Sequence, residues 1–196
     1  IMDRFDPGGW VGLMVDEWGT WFAVDAGTNP GFLRQQSSMR DALVAGLTLN
    51  LFNAHCRRVK MANIAQLVNV LQAPILTQGD RMLLTPTYHV FEMFKGHMDA
   101  TLLATQLASP DYTLGGKSIP ALSVSASRAA DGAMTVTLCN ADARQGHEVV
   151  CRFTDLPARQ AAARVLAGDQ LQAHNSFEAP ERVRPRQLAV RLQGGE

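Results

Sequence analysis

The 196-residue sequence has no uninterrupted apolar stretch of the roughly eighteen residues needed to cross a bilayer, which excludes a helical membrane span. It also lacks an excess of either charge. Eighteen Lys and Arg balance eighteen Asp and Glu with no long run of one sign, so there is no electrostatic footprint for nucleic acid or an anionic membrane surface. The expected partner is uncharged. Only three cysteines occur, Cys56, Cys139 and Cys151, an odd number with no C-x-x-C pair. That argues against a disulfide framework and a zinc site, and for reduced thiols in a cytoplasmic setting. His55, His89, His97, His147 and His174 have no metal-ligand spacing, so no metal and no cofactor are expected. The first nine residues, Ile-Met-Asp-Arg-Phe-Asp-Pro-Gly-Gly, lack the basic-then-apolar order of a secretory signal. With Ile1 in place of an initiator methionine, they read as the middle of a protein.

What the chain does have is 46% hydrophobic residues, enough at this length for one good core or two small ones in a soluble globular protein. The most informative segment is Val-Gly-Leu-Met-Val-Asp-Glu-Trp-Gly-Thr-Trp, residues 11 to 21. Val11 to Val15 predicts a strand covered on both faces, as in a parallel sheet, delivering Glu17 at its C-terminal end. A carboxylate beside Trp18 and Trp21 suits sugar chemistry, because indole faces stack on the apolar faces of sugar rings. The alternative is a strand-end acid that caps the next segment.

Residues 25 to 31, Asp-Ala-Gly-Thr-Asn-Pro-Gly, concentrate turn formers and predict a surface loop of the kind that roofs a site. Ser38 with Asp41 resembles a capping box, and Met39, Leu43, Leu47 and Leu51 form an apolar stripe at helical spacing, predicting a helix to about Arg57. Val59 to Val70 reads as a second strand, with Asn63, Gln66 and Asn69 spaced through it or just beyond. The order strand, loop, helix, strand is a βαβ crossover. Pro86 to Met98 predicts a further helix.

Near residue 100 the texture changes. Leu122 to Ser127 and Met134 to Cys139 alternate apolar with polar residues around Asp131-Gly132, a hairpin signal. With Val149 to Phe153 and Gln187 to Leu192 as further strands, the second half reads as an antiparallel β-sandwich. The cluster Arg182 to Arg186 reads as a solvated face. The first hundred residues supply two strands, whereas an α/β barrel takes eight strands and about 250 residues. They are therefore either a small open α/β unit or the tail of a barrel.

Five ordered blocks resemble the C-terminal portion of a family 51 glycoside hydrolase, an α-L-arabinofuranosidase. They are residues 11 to 21, Gly-Thr-Asn-Pro-Gly-Phe-Leu (27 to 33), Arg-Asp-Ala-Leu-Val-Ala-Gly-Leu-Thr-Leu-Asn (40 to 50), Met-Ala-Asn-Ile-Ala-Gln-Leu-Val-Asn-Val-Leu-Gln-Ala-Pro-Ile-Leu-Thr (61 to 77) and Leu-Thr-Pro-Thr-Tyr-His-Val-Phe-Glu-Met-Phe (84 to 94). The resemblance implies an α/β plus all-β fold: the last two βα units of a TIM (β/α)8 barrel over residues 1–99, then a C-terminal antiparallel β-sandwich over 100–196.

It also implies a retaining, exo-acting enzyme that removes terminal non-reducing α-L-arabinofuranosyl units from arabinan, arabinoxylan or arabino-oligosaccharides. Such a mechanism uses two carboxylates about 5 Å apart. Glu17 matches the nucleophile, Gln66 an amide that hydrogen-bonds the bound arabinose, and Trp21 an indole that shapes the pocket. The Asn-Glu pair that carries the family's acid/base is absent from these 196 residues, so the chain resembles a fragment holding half of the catalytic pair. The full-length protein is expected to be a homo-oligomer.

Other side chains carry less. Asp16 points away from Glu17 along the strand and reads as a backbone anchor. Ser37-Ser38 lacks nucleophile-elbow glycines and reads as a cap. The competing function is a non-catalytic module, carbohydrate-binding or subunit-contacting. The second half nevertheless offers only Tyr112, Phe153 and Phe177 as candidate sugar-stacking aromatics.

Overall fold

The computed structural model describes residues 1–154 and 160–192. It is built mostly from short strands with few helices. A single turn of helix, α1 (Met2–Phe5), precedes β1 (Leu13–Trp18), helix α2 (Met39–Ala54) and β2 (Val59–Ile64). The strands β1 and β2 pair in parallel, with Leu13 opposite Val59 and Trp18 opposite Ile64, so the expected βαβ crossover is present.

Strand β1 starts two residues later than the apolar pattern predicts, because the backbone of Val11 is engaged elsewhere. Its N–H donates to the Asp6 carboxylate at 2.8 Å, and its carbonyl accepts from the Arg58 guanidinium at 3.1 Å. The strand then runs on through Glu17, which therefore lies within the ladder's last turn of pleat. Nor is β1 covered on both faces: Leu13 is 42% exposed and Met14 50%. A two-stranded ladder has two open edges, and the described residues cover only the side on which Trp18 and Ile64 pack against Met39, Ala42, Ala45 and Val90.

Helix α2 begins with the predicted capping box. Ser38 N–H donates to Asp41 Oδ2 at 2.8 Å, and Ser38 Oγ lies 3.1 Å from the same oxygen. Strand β2 is half the predicted length. Beyond Ile64 the chain winds through left-handed conformations at Asn69 and Leu71, which no strand can contain. A hairpin follows that the alternation pattern did not predict, β3 (Ile75–Gln78) and β4 (Arg81–Leu84), turning at Gly79-Asp80. Helix α3 (Pro86–Phe94) begins with proline in its first turn as expected and tightens into a 3-10 turn over Lys95–His97.

The strands after residue 100 are β5 (Thr101–Leu102), β6 (Asp111–Leu114), β7 (Lys117–Pro120), β8 (Leu122–Arg128), β9 (Met134–Asn140), β10 (Ala163–Val165) and β11 (Arg186–Leu188). The β8–β9 hairpin has the predicted register, from Leu122 opposite Asn140 to Arg128 opposite Met134, and β5 adds to its other edge. Strand β11 is shorter and earlier than the predicted 187–192. Val149 to Phe153 forms no strand, having no partner among the described residues.

Helix α2 packs on the β8–β9 hairpin. A Cβ on Gly46 would stand 2.7 Å from Cys139 Sγ, so the helix approaches the sheet as closely as glycine permits. Asn50 completes the joint: Nδ2 donates to Ser123 Oγ at 3.2 Å, and Oδ1 accepts from Thr137 Oγ1 at 2.7 Å. The core straddles residue 100, since Ala173 and Val183 join Met39, Ala42, Ala45 and Val90 in one cluster. Among the described residues no helix is long and apolar enough to cross a membrane.

Burial against α2 pushes the Cys139 thiol up to about 12. At pH 8 that leaves only about one molecule in 10⁴ as the reactive thiolate. The exposed Cys56 and Cys151 should therefore react promptly with a thiol-specific disulfide reagent, and Cys139 only after denaturant is added. Three equal labelling rates in the native protein would contradict this packing.

Candidate active site

The parallel pair presents its C-terminal end as a small platform. The last backbone bond of the pair runs from Ala65 N–H to the carbonyl of Trp18 at 3.0 Å. Glu17 precedes that bond on one strand and Gln66 follows it on the other. Both side chains are exposed, and Trp21, three residues past the strand, is 62% exposed. The three residues singled out from the sequence, Glu17, Trp21 and Gln66, thus belong to one end of one ladder.

The two tryptophans part company. Trp18 turns inward, its ring 5.3 Å from Phe52 in an edge-on contact and 6.0 Å from Phe91 in a stacked one. It is a packing residue joining β1 to α2 and α3. Of these two, Trp21 is the one with an open face. Asp16 is exposed and its side chain makes no hydrogen bond among the described residues, so the anchoring role expected of it is not seen.

Loop 25–31 closes on itself and is tied down beside the platform. Asp25 N–H donates to the carbonyl of Arg34 at 2.8 Å, and their side chains form an ion pair at 3.2 Å. Leu71 N–H donates to the carbonyl of Leu33 at 3.0 Å, joining the loop's end to the segment after β2. Next to it lies a shallow cleft of about 230 Å³ lined by Phe22, Asp25, Gln35, Arg40, Gln172 and His174. The Arg40 guanidinium sits 3.7 Å over the Phe22 ring, so that aromatic face is already occupied by a cation.

Sequence reasoning missed the residues that hold this end together. Gln72 is buried at 1% exposure. Its Oε1 accepts from Thr20 N–H at 2.6 Å and lies 2.8 Å from Thr20 Oγ1, while its Nε2 donates to the carbonyl of Ala65. Thr20 Oγ1 is also 2.5 Å from Asp41 Oδ1, and Gln35 spans the next residues, with Nε2 3.2 Å from the Thr20 carbonyl and Oε1 2.9 Å from Phe22 N. A lone glutamine inside Val-Leu-Gln-Ala-Pro-Ile was the available signal, because a polar side chain in an apolar run must find partners if buried.

His97 lies away from this end, whereas His174 lines the cleft beside loop 25–31. His97 sits between Ser127 Oγ at 2.7 Å and Thr137 Oγ1 at 3.0 Å, and burial lowers its pKa. It joins the 3-10 turn to the β8–β9 sheet. No group of three or more His, Cys, Asp or Glu gathers as a metal site requires among the described residues.

Residues 16–196 match the family model described as the alpha-L-arabinofuranosidase C-terminal domain. The chain is similar to an intracellular exo-alpha-L-arabinofuranosidase of Bacteroides ovatus, 43% identical over 186 residues, covering 94% of this chain and 36% of that protein. Among solved structures it resembles a family 51 arabinofuranosidase from Xanthomonas axonopodis pv. citri, with a TM-score of 0.90 and 46% identity over 98% of this chain and 39% of that one. A family 51 alpha-L-arabinofuranosidase from Bifidobacterium longum superposes with a TM-score of 0.81 at 27% identity, over 93% of this chain and 38% of its own. The chain thus spans a little over a third of the length of the relatives it matches.

Proposed function

The chain belongs to the family 51 arabinofuranosidases, matching their C-terminal domain, and from that membership we propose that it is the C-terminal third of a retaining exo-α-L-arabinofuranosidase. In this reading residues 1–99 are the last two βα units of a TIM barrel and residues 100–196 a β-sandwich packed on it. The observation that carries the proposal is the parallel register, with Trp18 opposite Ile64, because it assigns Glu17 and Gln66 to the same end of one ladder. In α/β barrels that end is where substrate is handled.

Glu17 attacks the anomeric carbon of a terminal arabinofuranosyl unit. The bond to the leaving oxygen breaks as a carboxylic acid elsewhere in the full-length protein protonates it. Water, deprotonated by the same group, then opens the covalent arabinosyl ester and frees Glu17. Gln66 hydrogen-bonds the sugar hydroxyls and Trp21 offers an apolar face to the ring. No cofactor enters this chemistry. The uncovered faces of Leu13, Met14 and Met61 support a barrel remainder lying against them.

The substrates are arabinofuranosyl-bearing oligo- or polysaccharides, the compartment is intracellular, as the Bacteroides relative's name states of that protein, and the assembly is a homo-oligomer. The carbohydrate-binding alternative has weaker support. Tyr112 has the Arg144 guanidinium 5.8 Å from its ring and Phe177 has that of Arg81 at 4.7 Å, so these aromatics are not bare platforms.

The test is transfer to methanol from an aryl α-L-arabinofuranoside by the full-length polypeptide, followed by proton NMR. The expected first product is methyl α-L-arabinofuranoside, with the configuration retained. A β product or no turnover overturns the reading.

A further inference from the structure

We propose that the Gln72 amide, locked by Thr20, is a positioning device that sets the separation of Glu17, Gln66 and Trp21; the proposal rests on the function given above. The backbone ladder between β1 and β2 ends at the bond from Ala65 N–H to the Trp18 carbonyl. Past that point two parallel strands have no further rung, and their ends are free to splay. The Gln72 side chain supplies the missing rung. Its Oε1 takes the N–H of Thr20, three residues past Glu17, and its Nε2 gives to the carbonyl of Ala65, the residue joined to Gln66.

Thr20 is held from every side. Its N–H goes to Gln72, its carbonyl accepts from Gln35 Nε2 at 3.2 Å, and its hydroxyl lies 2.5 Å from the Asp41 carboxylate. The single hydroxyl proton goes to Asp41, the shorter contact with the stronger acceptor. Asp41 in turn caps α2 through Ser38. One buried network therefore ties the end of β1, the end of β2 and the start of α2 together without any secondary structure at Gly19 to Phe22. Trp21 lies inside the clamped stretch. Such anchoring has a chemical reason: a displacement of about 1 Å in a reacting group costs on the order of 10²-fold in rate.

The experiment measures kcat and KM on an aryl α-L-arabinofuranoside, and the melting temperature, for full-length wild type, Gln72→Met, Thr20→Val and Thr20→Ser. Methionine keeps the volume of Gln72 without its amide; valine keeps the shape of Thr20 without its hydroxyl. Both should lower kcat about 30-fold or more, assayed well below their melting temperatures, with KM within about threefold of wild type. Thr20→Ser, which retains every bond, should recover most of kcat.

Folded Gln72→Met with wild-type kcat overturns the positioning role, and folded Thr20→Val with wild-type kcat overturns the part assigned to the tether between Thr20 and Asp41, while both leave the arabinofuranosidase reading intact. Failure of both to fold also overturns the positioning role, since it would make the network purely structural. An inactive wild type defeats the underlying functional reading instead.

Discussion

Glu17→Ala in the full-length polypeptide is expected to lower kcat on an aryl α-L-arabinofuranoside by about 10⁴-fold or more, roughly 5.5 kcal/mol of transition-state stabilisation. In its proposed role Glu17 forms the bond to the anomeric carbon, so removing it eliminates the covalent route and leaves only slow attack by water. The variant should fold normally, because Glu17 is exposed and its side chain makes no hydrogen bond among the described residues. Azide discriminates nucleophile from bystander. It fits the space vacated by the carboxylate, attacks the same carbon and displaces the aryl oxide in one step, yielding a β-L-arabinofuranosyl azide of inverted configuration. Restored aryl release together with that product supports the assignment. Turnover by Glu17→Ala above about 1% of wild type, without azide, would remove Glu17 from the mechanism.

Gly19→Ala is expected to be the most damaging single methyl group near this site. Gly19 has φ +137°, a conformation that residues with a side chain rarely adopt. Its Cβ would also stand 2.7 Å from Gln72 Cδ and 2.9 Å from Oε1, closer to Nε2 still. Gln72 is too deeply buried to swing into solvent, so either its bonds to Thr20 and Ala65 break or the end of β1 moves. Backbone strain and an uncoupled buried amide together predict a loss of about 2–4 kcal/mol, with kcat falling because Glu17 is two residues away. Gly27→Ala is the matched control. Gly27 has φ +80° but no atom within 4 Å of the added Cβ, so it reports backbone strain alone, about 1 kcal/mol. Equal melting temperatures for the two variants would dismiss the clash with Gln72.

The site was more legible than its support because the two kinds of residue leave different marks. Glu17 stands out as an acid closing an apolar run, and the blocks around Trp21 and Gln66 carry a family resemblance. Gln72 and Gln35 leave almost none, because a buried amide is identified by partners tens of residues away: Thr20 is 52 positions from Gln72. Among the secondary elements, the capping box at Ser38 and Asp41 and the Asp131-Gly132 hairpin were readable, since their chemistry is local. The span from Val59 to Val70 reads as one strand because apolar residues continue past Ile64, where the ladder ends, into a segment with left-handed backbone at Asn69 and Leu71. Trp18 departs from the sugar-facing expectation for a similar reason. Composition says that an indole is present, and only packing against Phe52 and Phe91 says which way it faces.

Local pattern alone specified the βαβ order, the starts of α2 and α3, the alternation of β8 and β9 and the family. Each of these is written in side-chain periodicity, in capping within three or four residues, or in ordered motifs. Only the tertiary structure decided that β1 has an uncovered face, that α2 seats on β8 and β9 at Gly46, and that a glutamine side chain closes the ladder beyond Trp18. Those features are contacts between distant segments, whose free energy depends on distances and buried partners that no local pattern encodes.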